Sequence, residues 1–406
     1  MIVTTPQFNV FHTLSVAQVW QKYKLFYFYE LLDAFISIET FCKFLREYKM
    51  KLLDRTGAFC AEFGLDIPIV MAPMAGACPA QLAAVVSNAG GLGSCGALLM
   101  DAEQIAQWAE DFRTQSNGAF MLNNWIPDPE PERNAAHEQA VAAFLSRFGP
   151  EVSADAADIA QLPFEAQAQA MLAARPHIIS SIMGLYDAEF VKQMKERKIK
   201  WFATVTSLTE ALLAEQAGAD ALVVQGAEAG GHRGNFKSDY DSAAGLISLI
   251  PVISDAVELP LIATGGISDS RTIAAALMLG ASAVQIGTGL LRTPEASITA
   301  VWADEIGKTR PEDTIITPYF SGKPGRAIRN AYTDAAMDKN SPKAAQYPVQ
   351  RALTQPMRSK AAQENNMDGI QGWAGQSAML AQPIPAQQLL TTLWSEVEDH
   401  IGGMSG

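Results

Sequence analysis

Residues 223–234 read VVQGAEAGGHRG, and the strand and loop that they predict guide the interpretation of the whole chain. The stretch continues an apolar run from Ala221, a pattern typical of a strand buried on both faces. It then breaks into glycines and reaches His232, as expected where a barrel strand ends at an active site. Glycine lets backbone N–H groups approach a ligand, and histidine can donate, accept or carry charge. We therefore predict a ligand-binding loop, with an ordinary surface turn as the alternative.

Short apolar runs alternate with helical stretches on both sides of this loop, as repeated βαβ units require. The predicted strands are 69–74, 92–96, 119–125, 177–183, 200–206, 221–225, 260–264 and 283–287. Eight strands with helices between them predict an α/β fold of the (β/α)8 TIM-barrel type. An open doubly wound sheet is the alternative. It is disfavoured because the glycine-rich turns come late in the chain rather than after the first strand.

Composition limits the class of protein and its partners. The chain has 406 residues, a net charge of −13 and 49% hydrophobic residues, enough for a large core. The acidic balance disfavours nucleic acid, because phosphate binding needs a basic face. The four cysteines form no CxxC pair and no His/Cys cluster is visible, so we predict no metal site. No membrane span or signal peptide is predicted, and we expect a cytoplasmic protein with reduced thiols.

Three segments are predicted along the chain. Residues 1–49 are expected to be an aromatic-rich helical extension outside the core, and Met50 is a candidate for the natural start. Residues 50–307 are expected to form the barrel. Residues 308–406 are expected to be a mostly helical C-terminal segment that packs by the barrel mouth.

Glycine-rich turns follow the last two predicted strands, reading ATGGIS after the seventh and QIGTGL after the eighth. In barrels these two loops often bind a phosphate through backbone N–H groups and a short helix N-terminus. Gly265, Gly266, Gly287 and Thr288 would supply bare backbone and one hydroxyl there. Together the turns predict a phosphate-bearing ligand, and the alternative is two ordinary tight turns.

Other strand ends carry side chains suited to a planar polar ring. Pro73 and Met74 end the first strand, where proline fixes the backbone and methionine offers a polarizable flank. Asn123 and Gln225 end the third and sixth strands with carboxamides that need partners inside a barrel. Of five histidines, only His232 is predicted at the catalytic end. For Met74 the alternative is ordinary core packing.

These residues together resemble the nitronate monooxygenase (2-nitropropane dioxygenase) family of FMN-dependent barrels. The motifs that carry the resemblance are PIVMAPMAG, VSNAGGLGS, FMLNNWIPDP, VVQGAEAGGHRG, LPLIATGGISD, AVQIGTGLLRTPEA, QYPVQRALTQPMRSKAA and WAGQSA. The resemblance runs from about Met50 to near the C-terminus and leaves out residues 1–49.

The resemblance implies FMN across the barrel mouth and oxidation of alkyl nitronates by O2 to a carbonyl compound plus nitrite. The predicted FMN contacts are Ala72, Pro73, Met74, Asn123, Gln225, Gly230, Gly265, Gly266, Gln285, Ile286, Gly287 and Thr288. His232 would face the substrate as the catalytic residue, as a cation that balances the nitronate charge or as a neutral base that deprotonates a nitroalkane. Tyr347 and Lys360 are candidate lid residues without an assigned role.

Three alternatives stay open. An NAD(P)H-dependent flavin reductase of quinones or enoyl thioesters shares the barrel signatures. A cofactor-free lyase or isomerase would use the phosphate turns but would need a lysine or carboxylate at a strand end, where none is convincing. A non-catalytic binding barrel is the third. The expected partners are a small nitronate and O2, with no nucleic acid or membrane, and homodimerisation is left open.

Overall fold

The computed structural model describes residues 49–402 apart from 154, 159–160 and 238–242, together with residues 40, 43 and 47. The predicted N-terminal extension lies almost entirely outside the described residues and stays a prediction. Residues Leu52–Gly402 form one compact unit. The predicted division of that unit at residue 307 also stays a prediction. In the described part of the chain, no helix has the length and apolar character needed to cross a bilayer.

Eight parallel strands build the barrel. Three further strands, β7, β10 and β11, lie outside the barrel sheet. In chain order the strands of the described residues are β1 (Ile69–Met71), β2 (Gly93–Gly96), β3 (Phe120–Trp125), β4 (Ile178–Ile182), β5 (Lys200–Val205), β6 (Ala221–Gln225), β7 (Gly231–His232), β8 (Leu261–Thr264), β9 (Ala283–Ile286), β10 (Thr314–Thr317) and β11 (Gly325–Ile328). The barrel strands are paired in the order β1-β9-β8-β6-β5-β4-β3-β2. A parallel bridge between Val70 and Leu92 joins the two ends of the sheet. The predicted (β/α)8 barrel is confirmed.

Helices cover the outside of the barrel and make up much of the C-terminal segment. They are α1 (described from residue 49 to 63), α2 (Ala80–Asn88), α3 (Ala102–Arg113), α4 (Ala135–Leu145), α5 (Phe164–Ala173), α6 (Ala188–Glu196), α7 (Leu208–Gln216), α8 (Leu246–Ser254), α9 (Ser270–Met278), α10 (Ala300–Ile306), α11 (Ala331–Ala336), α12 (Val349–Leu353), α13 (Gln355–Gln363) and α14 (Ala386–Gly402). Capping residues and glycines set the ends of several helices. Asp269 caps α9 by accepting the Thr272 N–H, and Gly218 follows α7 with a positive φ of 91°.

Two apolar layers hold the barrel together. Inside it, Val70, Val223 and Ile262 fill the amino-terminal half, and Phe63 of α1 packs its ring 4.8 Å from that of Phe202 at the same end. Outside it, the opposite faces of the strands pack against the surrounding helices. Because both faces are apolar, β6 is buried along its whole length, as its sequence predicts. The amino-terminal end is therefore closed, and the open end is the carboxyl end.

A small antiparallel sheet lies beside the glycine-rich loop after β6. Its strands are ordered β10-β11-β7, and Gly325 of β11 pairs with His232 of β7. This pairing brings a hairpin from the C-terminal segment against the loop that carries His232. Residues more than ninety positions later in the chain therefore contact the carboxyl end of the barrel.

Candidate active site

The carboxyl ends of the barrel strands open into a cavity of about 440 Å³. Every predicted site residue except one lines it: Ala72, Pro73, Met74, Asn123, Gln225, Gly230, His232, Gly265, Gly266, Gln285, Gly287 and Thr288. The exception is Ile286, whose side chain packs into the layer between strands and helices. Successive residues of a strand point to opposite faces, so its neighbours Gln285 and Gly287 reach the cavity and Ile286 does not. The Ile286 carbonyl accepts the Ala72 N–H at 2.9 Å, within the barrel ladder.

The turns after β8 and β9 present bare backbone to the cavity. Gly265 and Gly266 have φ values of 115° and 69°, a region that residues with side chains rarely adopt. A Cβ at Gly287 would lie 3.3 Å from the Ala72 Cβ and 3.5 Å from the Met74 sulfur. The end of β1 and the turn after β9 therefore approach each other closely. Backbone N–H groups and the Thr288 hydroxyl at such turns suit a phosphate.

A loop near the C-terminus completes this side of the cavity. Gly375 donates its N–H to the Thr288 hydroxyl oxygen at 3.0 Å, and the hydroxyls of Ser377 and Ser268 lie 2.8 Å apart. A Cβ at Gly230 would lie only 2.5 Å from the Gly375 nitrogen, so the two loops are in contact. Gly375 and Ser377 line the cavity but received no predicted role, although the WAGQSA motif that contains them was available as a signal.

The two carboxamides have different surroundings. Asn123 donates from Nδ2 to the Ser180 hydroxyl at 2.9 Å, and its oxygen has no hydrogen-bond partner among the described residues. Gln225 donates from Nε2 to the His232 carbonyl at 3.0 Å and accepts the Gly234 N–H at 2.8 Å. Asn123 therefore offers a free acceptor to a ligand. Gln225 holds the loop that carries His232.

His232 lies between two indole rings. Its ring centroid is 4.6 Å from that of Trp125 and 4.8 Å from that of Trp373, both edge-on. Burial, together with the nearby charges of Lys323, Arg351 and Arg358, lowers the pKa of His232 to about 3. The imidazole is therefore neutral near pH 7. Of the two roles predicted for His232, this environment disfavours the cation.

Positive charge in the cavity comes from two arginines that the sequence analysis missed. Arg351 and Arg358 line it, and neither forms an ion pair with any carboxylate that the structure describes. Burial lowers the pKa of Arg358 to about 10, and its guanidinium donates to the Gln371 side chain at 3.1 Å. No aspartate or glutamate is among the described cavity-lining residues, although the protein carries a net charge of −13. This local charge favours an anionic ligand.

Two other donors in the cavity have no hydrogen-bond partner in the described part of the chain. The Thr299 hydroxyl and the Trp302 indole nitrogen are buried atoms without a hydrogen-bond partner in the described chain, and both residues line the cavity. Buried polar groups are normally paired, so these two point to a ligand with acceptor atoms. The candidate lid residues lie elsewhere. The Tyr347 ring packs 5.3 Å from Trp125, and Lys360 is half exposed at the surface, 3.8 Å from Glu364.

Comparison with known proteins gives one consistent result. The family described as nitronate monooxygenase matches residues 59–396. A nitronate monooxygenase of Paraburkholderia phytofirmans is 35% identical over 359 residues, covering 86% of this chain and 98% of the relative. A probable nitronate monooxygenase of Staphylococcus aureus is 32% identical over 338 residues, covering 82% and 95%.

Solved structures show the same relationship. The nitroalkane oxidase of Streptomyces ansochromogenes superposes with a TM-score of 0.78 at 31% identity, covering 85% of this chain and all of that one. FabK of Thermotoga maritima superposes with a TM-score of 0.67 at 25% identity, covering 85% and 97%. The similarity is therefore greater to the first of these two proteins in both sequence and structure.

Proposed function

The chain belongs to the nitronate monooxygenase family, and on that premise we propose that its cavity binds FMN and uses O2 to oxidise alkyl nitronates to a carbonyl compound and nitrite. The observation that carries the proposal is the character of the cavity. It combines glycine turns suited to a phosphate with two arginines and no carboxylate among its described lining residues. An anionic cofactor and an anionic substrate both fit such a site.

The residues present fit FMN. The backbone at Gly265, Gly266 and Gly287, with the Thr288 hydroxyl, would hold its phosphate. The free oxygen of Asn123 would accept a hydrogen bond from the polar edge of the ring. When bound, FMN supplies the redox chemistry by accepting electrons from the substrate.

The protein's own residues would bind and orient the nitronate. Arg351 and Arg358 would balance its negative charge, a role that the low pKa of His232 denies to the imidazole. The rings of Trp125 and Trp373 flank His232 and would exclude water from the reacting groups. Neutral His232 would contact the substrate without adding a third charge beside the arginines.

The alternative functions that the sequence left open are not equally well supported. A lyase or isomerase would need a lysine or carboxylate in the cavity, and none of the described lining residues is one. The reductase alternative rests on the barrel signatures that it shares with this chain, whereas the family match and the similarity to a nitroalkane oxidase support nitronate oxidation. The cytoplasmic location and a homodimer stay predictions.

Product analysis tests the proposal. Purified protein loaded with FMN is supplied with an alkyl nitronate in air, and nitrite and the carbonyl compound are measured. We expect both to appear in equal amounts, without NADH. Turnover that requires NADH, with no nitrite formed from the nitronate, would support the reductase alternative instead.

A further inference from the structure

A buried serine contacts the imidazole of His232. Ser321 lies between β10 and β11, and β11 pairs with the short strand that carries His232. The Ser321 hydroxyl is fully buried, and its oxygen is 2.8 Å from Nε2 of His232. The pairing of β11 with β7 therefore holds the backbone near Ser321 and the backbone of His232 next to each other.

The direction of this hydrogen bond follows from the few partners of the hydroxyl. Its one proton has two acceptors in reach, Nε2 of His232 at 2.8 Å and the Lys323 carbonyl at 3.3 Å. Hydrogen bonds donated by hydroxyls to oxygen span roughly 2.5–3.0 Å, so the carbonyl lies too far away for a good bond. The Lys323 N–H approaches the hydroxyl oxygen at 3.3 Å and can only donate to it. A buried hydroxyl needs an acceptor, and Nε2 is the better one.

This direction decides where the proton of the imidazole lies. Neutral imidazole carries one N–H, so if Nε2 accepts, the proton is on Nδ1. Nδ1 of His232 makes no hydrogen bond to any described residue. It is also absent from the buried polar atoms that lack partners, whereas Thr299 and Trp302 contribute such atoms. Because His232 lines the cavity, Nδ1 is open to it.

We propose that Ser321 is a positioning residue that fixes the tautomer of His232, so that Nδ1–H points into the cavity as a hydrogen-bond donor to the anionic substrate. The inference rests on the proposed function for the identity of that anion but not for the tautomer. A neutral donor at this place adds a bond to a nitronate oxygen without a third positive charge beside Arg351 and Arg358.

Nitrogen NMR of the FMN-loaded protein, labelled with 15N-histidine, tests the tautomer directly. Protonated and bare ring nitrogens differ widely in chemical shift, and the His232 signals are those lost in His232→Gln. We expect the wild-type proton on Nδ1. In Ser321→Ala we expect the ratio of the two tautomers to shift about fivefold toward Nε2–H, the factor that corresponds to one net hydrogen bond of about 1 kcal/mol.

Ser87→Ala is the matched control, because Ser87 also donates from a buried hydroxyl, to the Ala119 carbonyl at 2.7 Å, and does not line the cavity. It should leave the His232 signals unchanged. A wild-type proton on Nε2, or the wild-type ratio of tautomers in Ser321→Ala, would overturn the proposal. The wild-type spectrum is decisive even if Ser321→Ala does not fold.

Kinetics separate this inference from the proposed function. Ser321→Ala should raise KM for a nitronate about three- to tenfold with little change in kcat, because a binding contact is weakened. A loss of kcat of about three- to tenfold with an unchanged KM would contradict the assigned role of Ser321. A wild-type protein that shows the Nδ1 proton but oxidises no nitronate would refute the proposed function while leaving the tautomer assignment standing.

Discussion

Replacing His232 by glutamine distinguishes a catalytic base from a neutral hydrogen-bond donor. Glutamine keeps an N–H group but cannot take up a proton near neutral pH. If His232 abstracts a proton from a nitroalkane, the variant loses that reaction. If His232 only donates a hydrogen bond to a nitronate that is already deprotonated, most of the activity remains.

The expected magnitude follows from the pKa of His232. At about 3, it lies about 3.5 units below that of a free imidazole, and each unit corresponds to about 1.36 kcal/mol. The imidazolium that proton abstraction would form is therefore about 5 kcal/mol less favourable than in water. By contrast, a neutral hydrogen bond contributes about 0.5–1.5 kcal/mol, so its weakening changes the rate about tenfold at most.

The assay compares one compound in two protonation states. A nitronate is prepared in base and mixed rapidly with enzyme at pH 7, while the neutral nitroalkane is supplied separately, and oxygen consumption is followed. We expect kcat/KM for the nitronate to exceed that for the nitroalkane by about 100-fold or more, given the weak base at His232. His232→Gln should keep nitronate turnover within about tenfold of wild type.

Two results would contradict a neutral His232 that acts only as a hydrogen-bond donor. One is equal kcat/KM for the nitroalkane and its nitronate in the wild type, with the nitroalkane reaction lost in His232→Gln. The other is an inflection near pH 6.5 in kcat/KM for the nitronate that disappears in the variant. Either would mean that the imidazole titrates near its ordinary pKa when the site is loaded.

Three further predictions follow from the cavity and its surroundings. Arg351→Gln should raise KM for the nitronate about 10- to 100-fold by removing a charge-assisted contact, whereas Lys360→Gln at the surface should not change it. Gly230→Ala should weaken FMN binding about 10- to 100-fold in a fluorescence titration, because its Cβ would collide with the neighbouring loop. Gly57→Ala, with nothing within 4 Å, should bind FMN normally. The pKa of His232 is lower in the folded state than in the unfolded chain. Between about pH 3 and 6.5 the unfolded chain therefore binds more protons than the folded protein, and the free energy of unfolding falls as the pH falls through that window. Between pH 7 and 4, wild type should therefore lose about 3 kcal/mol more stability than His232→Gln in urea melts, and equal losses would contradict the assignment.

Local sequence chemistry predicted the barrel and much of its mouth. The buried run of β6 and the glycine turns after β8 and β9 each depend on neighbouring residues in the chain, which a sequence displays directly. Ile286 shows the limit of a contiguous motif. It lies inside QIGT, but strand alternation turns its side chain away from the cavity.

The missing parts of the site depend on contacts that are distant in sequence. Ser321 contacts His232, and Arg351 lines the same cavity, only because β11 pairs with β7 and the C-terminal segment folds against the barrel mouth. The neutral state of His232 has the same origin, since its pKa is set by burial and by cations 91 to 126 residues later in the chain. No local pattern around GGHRG contains this information.

Anaerobic mixing of the FMN-loaded protein with an alkyl nitronate, followed by absorbance of the flavin, tests whether the nitronate is the electron donor. We expect the nitronate alone to bleach the flavin spectrum, NADH alone to leave it unchanged, and oxygen then to restore the colour. Bleaching by NADH with no response to the nitronate would contradict this expectation, as would failure of the purified protein to bind FMN.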